Sequence, residues 1–507
     1  MRLLNARPSS VSLRTLLPRA RFVGGADITV QSCTSDPRQV RPGDLFVAVS
    51  DAEGDGHDSV FEAVERGASA VLAERLLPLS IPRCIVGDSR QAFGFVCQAL
   101  AGDPSSQLRV AGITGSNGKT VTSELLGSIL TVARQKSGVV SCLGADDGER
   151  TELLDDTNLA APDAARWLSR MVGNRCSHAV LEVSSQSLAE QRLAGVAFDA
   201  AILTNVRRDH ADDHGSLYNY RRLKSRLFEQ LKPGGFVVLN ADDPASQRFL
   251  DDLSQPVLTI GMRTPAEVTA SVLERHAGEQ TFLLHAGAET IPVCTRMIGD
   301  QQVYNCLAAA ATALVWGIDL PTIVRGLERV ESLPGRMERI ECGQAFNVFV
   351  DVARTPDSLA ACLRAARQVT RGRLICVYGA EGERNQERRP QLGRVVEKHA
   401  NLEVITSDNP RCEEPLKIAH DILDGYHRPS RPLVRPDRHA AILWALEQAR
   451  TGDTIVVAGK GGATTQEVGA RRVAWDDRDI VRSWLYEHPE AGEAVSRPVA
   501  GGLKIFG

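Results

Sequence analysis

A strand, a glycine-rich turn and a helical pattern follow one another at residues 108–124, and this succession limits the folds open to the chain. The mostly apolar run Leu108–Ile113 leads into the sequence GSNGKT at 115–120. A strand that delivers such a loop to a helix N-terminus offers free backbone N–H groups and a helix dipole, both of which attract phosphate. We expect Lys119 to reach the β- and γ-phosphates of a nucleotide and Thr120 to hold Mg²⁺. The residues assigned to ATP on this ground are Gly115, Asn117, Gly118, Lys119 and Thr120.

The spacing departs from the general phosphate loop, because Ile113 stands where that pattern has glycine. The alternative is an ordinary glycine turn. A Gly-Lys-Thr tripeptide occurs often by chance, but its placement between a strand and a helix is much rarer, and this context favours phosphate binding.

Composition narrows the class of protein. The 507 residues are too many for one hydrophobic core, and 43% hydrophobic with 24% charged residues is ordinary for a soluble globular chain. A net charge of −4 gives no electrostatic basis for binding nucleic acid or membrane. The eleven cysteines include no Cys-x-x-Cys pair, as expected of a reducing compartment. We therefore expect a cytoplasmic protein with small-molecule partners.

Punctuation by glycine and proline predicts three parts, 1–104, 105–333 and 334–507. Strand-like and helical patterns alternate in the second and third parts, which is typical of parallel sheets covered by helices. The stretch Glu267–Thr295 resembles antiparallel hairpins instead, and Gln301–Trp316 is predicted to be a helix. The fold class is α/β. The predicted strands are Asp44–Val49, Ala70–Ala73, Arg83–Val86, Leu108–Ile113, Ser137–Ser141, His178–Val183, Ala200–Thr204, Gly235–Leu239, Pro256–Ile260, Phe346–Val352, Arg373–Tyr378, Leu402–Ser407 and Thr454–Ala458.

Two further candidates for magnesium follow strands of the second part. Glu182 ends the strand His178–Val183, and His210 follows the next strand. Ligands bind at the carboxyl ends of strands in open α/β sheets, and Mg²⁺ takes hard oxygen ligands and occasionally imidazole. Each residue alone has an ordinary interpretation as a cap or a surface charge, whereas their place at the phosphate-loop edge of successive strands favours a metal site.

Together these stretches resemble the Mur ligases, the ATP-dependent amide-forming enzymes of peptidoglycan precursor synthesis. The motifs occur in the family's order and are spread along nearly the whole chain. They lie at 35–38, 41–46, 55–57, 116–120, 182–185, 204–215, 304–305, 333–338 and 351–357.

Within the family the resemblance is greatest to the branch that adds the third residue of the stem peptide. The discriminating match is the sequence SDNPRCEEP at 407–415. In that branch Asp-Asn-Pro-Arg accompanies meso-diaminopimelate as the incoming amino acid. Residues 382–384 and 388–390 resemble the arginine-bearing loop of the same branch.

The resemblance assigns the catalytic set and the cofactors. It implies ATP with Mg²⁺, held by Thr120, Glu182, His210 and Lys224, the last as a carbamylated lysine; the ordinary interpretation of Lys224 is a solvated helix lysine. Asn305 would contact adenine, Arg336 the phosphates and Asp351 the ribose. The catalytic residues are Lys119, Glu182, His210 and Lys224.

The resemblance also assigns substrate contacts and an architecture. Arg384, Asn409 and Arg411 would grip the distal carboxylate of the amino acid, which suits an arginine fork. The implied domains are a UDP-binding domain at 1–104, an ATP-binding domain at 105–333 and a Rossmann-like amino-acid-binding domain at 334–507, in a monomer. The full set of predicted substrate contacts is Ser35, Arg38, His57, Ala160, Ala161, Ser184, Gln186, Arg192, Arg384, Asp408, Asn409, Arg411 and Gly459.

The sequence departs from the family mainly at substrate motifs. Ala160-Ala161 replaces two threonines, Gln186 replaces a histidine, and Val352 and Arg354 replace a tyrosine and a histidine. Pro37 alters the Asp-Ser-Arg motif of the UDP-binding part. Ala463 stands where a glutamate is expected to hold the ammonium group of the amino acid. Losing one side of a buried charge pair typically costs about 2–5 kcal/mol.

Three interpretations stay open at this point. The chain is a working ligase that makes the tripeptide through an acyl phosphate, a divergent ligase with another acceptor or amino acid, or a nucleotide-binding paralogue without catalysis. Retention of Lys119, Glu182, His210 and Lys224 counts against the last. A folylpolyglutamate synthetase would share the ATP chemistry, but it has no counterpart of the N-terminal part or of Asp-Asn-Pro-Arg.

Overall fold

The computed structural model describes residues 10–50, 54–154, 158–207, 216–250 and 253–491. These residues fall into two compact units. The first comprises Met1–Ser271, Leu283–Val293 and Tyr304–Arg329, and the second Val272–Phe282, Cys294–Val303 and Val330–Gly507. No helix in the described ranges is both long enough and apolar enough to cross a bilayer.

The N-terminal part builds a five-stranded sheet with the order β2-β7-β6-β5-β4, in which β2 alone runs antiparallel to its neighbour. The short strands β1 and β3 pair separately. The elements are β1 (Val11–Ser12), α1 (Leu13–Leu16), β2 (Arg21–Val23), β3 (Thr29–Val30), β4 (Cys33–Thr34), β5 (Leu45–Val47), α2 (Val60–Glu65), β6 (Ala70–Ala73), β7 (Arg83–Ile85) and α3 (Ser89–Leu100).

The next part contributes a sheet with the order β11-β10-β9-β12-β8-β13-β14-β15-β16-β17-β18. Pairing is parallel from β9 through β12, β8, β13, β14 and β15 to β16. Its elements are β8 (Arg109–Thr114), α4 (Lys119–Val132), β9 (Ser137–Ser141), β10 (Gly144–Asp146), β11 (Thr151–Glu152), α5 (Ala161–Gly173), β12 (His178–Glu182), α6 (Ser185–Ala189), β13 (Phe198–Leu203), α7 (Leu217–Ser225), β14 (Leu231–Asn240), α8 (Pro244–Gln247), β15 (Val257–Gly261), β16 (Val268–Arg275), β17 (Gln280–Ala286), β18 (Glu289–Thr295), α9 (Asp300–Val315) and α10 (Leu320–Glu328).

The C-terminal part forms a six-stranded sheet with the order β19-β20-β24-β21-β22-β23, parallel except for β19. Its elements are β19 (Glu338–Ile340), β20 (Asn347–Asp351), α11 (Pro356–Val369), β21 (Leu374–Tyr378), α12 (Arg388–His399), β22 (Leu402–Ile405), α13 (Pro415–Leu423), β23 (Leu433–Val434), α14 (Arg438–Gln448), β24 (Thr454–Ala458), β25 (Thr465–Val468), β26 (Arg471–Ala474) and α15 (Asp477–Glu487).

The α/β class predicted from the sequence is confirmed, and each large sheet draws its strands from one of the three predicted parts. Strands β8, β12 and β13 are buried on both faces, which explains their nearly continuous apolar sequences. The segment 267–295 forms β16, β17 and β18, whose connections of a few residues are too short for parallel crossovers and leave only hairpins. The exact boundaries at 104 and 333 stay predictions.

Candidate active site

The phosphate loop at 115–118 is fastened to the carboxyl end of β13. The N–H groups of Ser116 and Asn117 donate to the carbonyl and the side-chain oxygen of Asn205, at 3.0 and 3.1 Å. In return, Thr204 Oγ1 and Asn205 Nδ2 donate to the Asn117 carbonyl at 2.6 and 3.0 Å. Thr204 and Asn205 therefore fix the loop, a role that their place in the motif at 204–215 did not reveal.

Two glycines of the loop allow contacts that a side chain would block. A Cβ at Gly115 would lie 1.9 Å from Thr204 Oγ1. Gly118 has φ +89°, in the left-handed region, and a Cβ there would lie 2.2 Å from Asn305 Oδ1. Asn305, on α9, thus lies directly against the loop and is nearly fully buried.

Helix α4 begins at Lys119 and brings the predicted phosphate and metal ligands together. Lys119 Nζ folds back to the carbonyls of Gly115 and Ser116, at 3.3 and 3.4 Å. Thr120 Oγ1 donates to Glu182 Oε2 at 2.9 Å, and the Cys142 N–H donates to the same oxygen at 3.0 Å. The hydroxyl and the carboxylate predicted to bind Mg²⁺ are thus neighbours at the loop.

Glu124 adds a second carboxyl group close to this pair. It lies one helical turn beyond Thr120 and accepts a hydrogen bond from Ser141 Oγ at 2.7 Å. Burial raises the pKa of Glu124, and the charge of Glu182 raises it further, while the Ser141 bond acts in the opposite direction. Glu124 belongs to none of the predicted sets, because nothing in the sequence distinguishes it from an exposed helix glutamate.

Lys224 on α7 is completely buried, so its interpretation as a solvated helix lysine is wrong. Its Nζ lies 3.4 Å from Thr114 Oγ1 and 4.5 Å from the centre of the Tyr220 ring. Burial lowers its pKa well below the usual 10.5, and the neighbouring charge of Lys119 acts in the same direction. Among the described residues, no carboxylate lies within ion-pair distance of Lys224. The fourth predicted catalytic residue, His210, lies outside the described residues.

These donors fit a hard divalent cation. A threonine hydroxyl and a carboxylate lie side by side next to a loop of backbone N–H groups, which is the oxygen-rich setting that Mg²⁺ takes beside phosphates. The buried amine of Lys224 contacts Thr114, next to the same loop, and carbamylation would convert it into an anionic oxygen donor.

Three of the predicted substrate residues gather around Asn158, which the sequence analysis did not single out. Ser184 Oγ donates to Asn158 Oδ1 at 2.5 Å, and Asn158 Nδ2 donates to Gln186 Oε1 at 3.2 Å. Arg192 Nη1 donates to the Asn158 carbonyl, and its Nε donates to Glu190 at 2.6 Å. Gln186 also donates to Glu190, at 3.0 Å. The result is one polar cluster beyond the end of β12.

The two alanines at 160 and 161 lie at the start of α5. Ala160 occupies the N-cap position, and no side-chain hydrogen bond caps the helix there. A threonine, serine, asparagine or aspartate in this position satisfies an otherwise unpaired N–H group. The family threonine that Ala160 replaces would therefore stand in a capping position.

The N-terminal candidates are Ser35, Arg38 and His57, of which Arg38 and His57 each contact the aspartate two residues before them. Arg38 is largely exposed and pairs with Asp36 at 3.0 Å. His57 is buried, with Nδ1 2.6 Å from Asp55 and with Nε2 accepting the Glu74 N–H at 3.0 Å. Both ring nitrogens of His57 are thus engaged within the protein.

In the second unit, Asp351 ends β20 and accepts two backbone hydrogen bonds. Met337 N–H donates at 2.6 Å and Ala353 N–H at 2.8 Å. Burial raises the pKa of Asp351 in spite of these bonds. Arg336 precedes Met337, which itself has φ +51°. Asp351 thus binds the residue that follows Arg336. The residue predicted to contact the ribose therefore lies close to the one predicted to contact phosphate.

The predicted amino-acid residues meet at the carboxyl ends of β21, β22 and β24. Asn409 Oδ1 accepts from Lys460 Nζ at 2.7 Å and from the Glu467 N–H at 3.1 Å. Arg411 donates to Glu467 at 2.8 Å and to the Gly382 carbonyl at 3.0 Å. Arg384, Asp408 and Gly459 lie next to these residues, and we call the whole group the amino-acid pocket.

Asp408 and Gly459 form the buried floor of the pocket. Asp408 is almost fully buried, its carboxylate lies 3.9 Å from Lys460 Nζ, and burial raises its pKa. A Cβ at Gly459 would lie 2.3 Å from Asp408 Oδ2. Glycine at 459 thus permits the close packing of the loop after β24 on the loop after β22.

Comparison with known proteins gives consistent similarities. The sequence profile of the Mur ligase middle domain matches residues 113–313, and that of the Mur ligase glutamate ligase domain matches 335–461. The UDP-N-acetylmuramoyl-L-alanyl-D-glutamate–2,6-diaminopimelate ligase of Geobacillus thermodenitrificans is 36% identical over 487 residues, covering 94% of this chain and 100% of that protein. Its counterpart in Aquifex aeolicus is 35% identical over 459 residues, or 90% of this chain and 94% of that one.

Solved structures of ligases share the fold of this chain. A structure of a UDP-N-acetylmuramoyl-L-alanyl-D-glutamate–2,6-diaminopimelate ligase superposes with a TM-score of 0.68 at 28% identity, covering 95% of this chain and 100% of that one. MurF ligase from Thermotoga maritima in complex with ADP gives a TM-score of 0.61 at 20% identity, covering 85% and 94%, and shows a shared fold.

Proposed function

This chain belongs to the Mur ligase family of ATP-dependent amide-forming ligases, and on that premise we propose that it adds meso-diaminopimelate to UDP-N-acetylmuramoyl-L-alanyl-D-glutamate. The product is the tripeptide precursor of peptidoglycan. The γ-phosphoryl group of ATP passes to the terminal carboxylate of the acceptor, and the amine of the incoming amino acid then displaces phosphate from the acyl phosphate. We place the reaction in the cytoplasm and assign it to a monomer.

The phosphate-loop end of α4 carries the phosphoryl transfer. The loop N–H groups hold the phosphates, and Lys119, which lies over the loop carbonyls, swings onto the transferring group to offset its charge. Thr120 and Glu182 hold Mg²⁺, and His210 completes the metal ligands. When bound, Mg²⁺ neutralises charge on the phosphoryl oxygens and aligns the attacking carboxylate with them.

Lys224 serves the same transfer as a carbamylated lysine. Burial lowers the pKa of Lys224 and so favours the uncharged amine, which is the form that attacks carbon dioxide. Carbamylation would turn the amine into an anionic oxygen donor, which would favour a second divalent cation close to the loop. Lys224 therefore acts as a ligand and not as a proton carrier.

The remaining nucleotide contacts come from three residues. Asn305 lies against Gly118 and borders the nucleotide, whose adenine it contacts. Arg336 binds phosphate, and Asp351, whose carboxylate is already oriented by two backbone N–H groups, accepts from the ribose. Positioning of the two reacting groups supplies most of the remaining rate enhancement.

Substrate contacts divide between the two units. Ser184, Gln186 and Arg192, gathered around Asn158, hold the acceptor together with the N-terminal contacts Ser35, Arg38 and His57. Arg384, Asn409 and Arg411 bind the distal carboxylate of diaminopimelate. The observation that carries the proposal is the hydrogen bond from Thr120 to Glu182 beside the phosphate loop, in a chain that matches diaminopimelate ligases along 94% of its length.

A ligation assay tests the proposal. The purified protein is incubated with ATP, Mg²⁺, UDP-N-acetylmuramoyl-L-alanyl-D-glutamate and meso-diaminopimelate, and the product is identified by mass. The expected product carries one diaminopimelate and forms together with one ADP. ATP binding without any ligated product would refute the proposal and support the non-catalytic interpretation.

A further inference from the structure

Glu381 places an additional carboxylate among the residues assigned to the incoming amino acid. Its side chain is only 15% exposed. Oε1 lies 3.1 Å from Arg354 Nη1 and 3.4 Å from Asn409 Nδ2, while Oε2 lies 3.7 Å from Arg384 Nε. No motif drew attention to this residue, although two of its three neighbours are predicted substrate contacts.

We propose that Glu381 binds the distal ammonium group of the incoming diaminopimelate, in place of the glutamate missing at Ala463. This inference rests on the proposed function and deepens it by assigning the residue that recognises the second amino group. It also explains how a pocket without a glutamate at 463 distinguishes diaminopimelate from an amino acid without that group.

The buried side chain of Arg389 fixes the backbone of Glu381. Arg389, with a side chain only 1% exposed, donates to the Glu381 carbonyl at 3.2 Å. The same guanidinium binds both oxygens of Glu413, at 2.8 and 2.9 Å, and Asp421 at 2.7 Å. Because a bidentate arginine pair fixes both distance and orientation, the Glu381 loop is anchored to the loop that carries Asn409.

The contacts of Asn409 determine which of its atoms faces Glu381. Lys460 Nζ and the Glu467 N–H are both donors, so the side-chain oxygen of Asn409 must be turned toward them. The NH₂ group of Asn409 consequently points to Glu381 Oε1. A donor that can bind a carboxylate and an acceptor that can bind an ammonium are therefore next to each other.

The opposite charges of Arg384 and Glu381 favour a ligand that carries both a carboxylate and an ammonium group. Arg384 is 65% exposed, and its 3.7 Å separation from Glu381 exceeds a hydrogen bond. The distal end of diaminopimelate carries one carboxylate and one ammonium group, which can align with Arg384 and Glu381 respectively.

The other described carboxylates of the pocket have different partners. Glu467 is paired with Arg411 at 2.8 Å, and Asp408 is buried next to Lys460. Glu381 is paired with Arg354 through Oε1, whereas its Oε2 has a looser contact of 3.7 Å with Arg384, so Oε2 is placed to meet an ammonium group that enters beside Arg384.

The test pairs one substitution with two substrates. Glu381→Gln is compared with the unsubstituted enzyme on meso-diaminopimelate and on 2-aminopimelate, which keeps the distal carboxylate but lacks the distal amine. We expect Glu381→Gln to lower kcat/KM for diaminopimelate by about 10- to 100-fold and to leave kcat/KM for 2-aminopimelate within about threefold, since a charge-assisted contact is worth about 1.5–3 kcal/mol. The KM values for ATP and the acceptor should not change.

Two further variants sharpen the result. Glu387→Gln removes an exposed carboxylate at the end of the same loop and should leave all constants unchanged. Adding Ala463→Glu to Glu381→Gln should recover at least part of the lost preference for diaminopimelate. Equal losses on both substrates, or no loss on either, would overturn the inference and leave the proposed function intact. Failure of the unsubstituted enzyme to ligate diaminopimelate would refute the proposed function and the inference with it.

Discussion

The phosphate-loop edge of the central sheet and the amino-acid pocket of the second unit are built on different principles. At the loop, the positive φ angles belong to glycines, and the contacts are backbone hydrogen bonds to Thr204 and Asn205. In the pocket, Glu383, Asn409 and Arg411 take left-handed φ values of 55°, 46° and 52°, and charged side chains provide the contacts. Left-handed backbone at a residue other than glycine costs roughly 1–3 kcal/mol.

This difference explains where the chain retains its family pattern and where it departs from it. A loop that binds phosphate through its backbone tolerates almost no change, because each glycine allows a contact that a Cβ would exclude. A pocket that works through side-chain charges can keep its balance of charge with carboxylates at other positions, as we propose for Glu381 in a chain with alanine at 463. We therefore expect substitutions to be tolerated more easily among the residues that recognise the amino acid than in the phosphate loop.

The largest effect is expected from Lys119→Met, which removes the cation that we propose to offset charge on the transferring phosphoryl group. We expect kcat/KM to fall by about 10³-fold or more, equally with every amino acid offered. Steady-state kinetics check this, with the exposed Lys398→Met as the matched control. A loss that differed between amino acids would break the separation of the two regions.

Lys224→Met should almost abolish activity and at the same time stabilise the fold. Because burial lowers the pKa of Lys224, the unfolded chain binds one more proton between the folded pKa and 10.5, and the free energy of unfolding rises with pH across that interval. Methionine removes this cost, so we expect a gain in the free energy of unfolding at neutral pH that fades as the pH rises toward 10.5.

Denaturant unfolding without Mg²⁺ and bicarbonate measures this gain. The exposed Lys417→Met should stay within about 0.5 kcal/mol of the unsubstituted protein. Destabilisation by Lys224→Met would contradict a lowered pKa for this buried amine.

Arg384→Lys should affect the amino acid alone. Lysine keeps the positive charge but loses the planar fork that matches a carboxylate, so we expect the KM for diaminopimelate to rise by about tenfold. The KM for ATP should be unchanged. An equal rise in the KM values for diaminopimelate and ATP would show that the amino-acid pocket and the phosphate loop do not act separately.

Ala160→Thr should give a smaller effect on stability. A threonine at this N-cap position can bind an unpaired N–H of α5, which is worth about 1 kcal/mol, or roughly 2 °C in Tm. Thermal unfolding checks this, and Ala161→Thr, one residue inside the helix, serves as the control without a capping position. Equal shifts for both variants would rule out capping as the cause.

His178→Phe should give the smallest effect, confined to acid pH. Burial lowers the pKa of His178 from 6.5 to about 4, so the unfolded chain binds the extra proton between these values and stability falls as the pH falls from 6.5 to 4. The variant should lose less stability than the unsubstituted protein across this interval. Parallel losses in an acid titration monitored by circular dichroism would contradict the assignment.

The sequence predicted the regular parts of the fold well. The strands at 178–182 and 454–458 and the helix at 300–315 lie within a residue or two of the predicted bounds, because long apolar runs and a strong helical pattern specify them locally. Strands β1, β3 and β4 have two residues each, too few to show a periodicity, and they were missed.

The candidate site was predicted only where its residues belong to motifs. The family was identified correctly from those motifs. Asn158 and Arg192 are 34 positions apart, and Arg354 and Glu381 are 27 apart. Contacts of this kind depend on tertiary packing, so alanine at 463 was visible in the sequence while the place of Glu381 beside Arg354, Arg384 and Asn409 was not.

The central claim is that an unaltered phosphate-transfer edge works with a rebuilt but still diaminopimelate-specific pocket. A competition assay tests it most directly, with equal concentrations of meso-diaminopimelate, L-lysine and L-ornithine offered to the enzyme with ATP, Mg²⁺ and the acceptor. The account predicts that mass spectrometry finds the diaminopimelate product in at least about tenfold excess over the others. Preferential ligation of lysine or ornithine would contradict it.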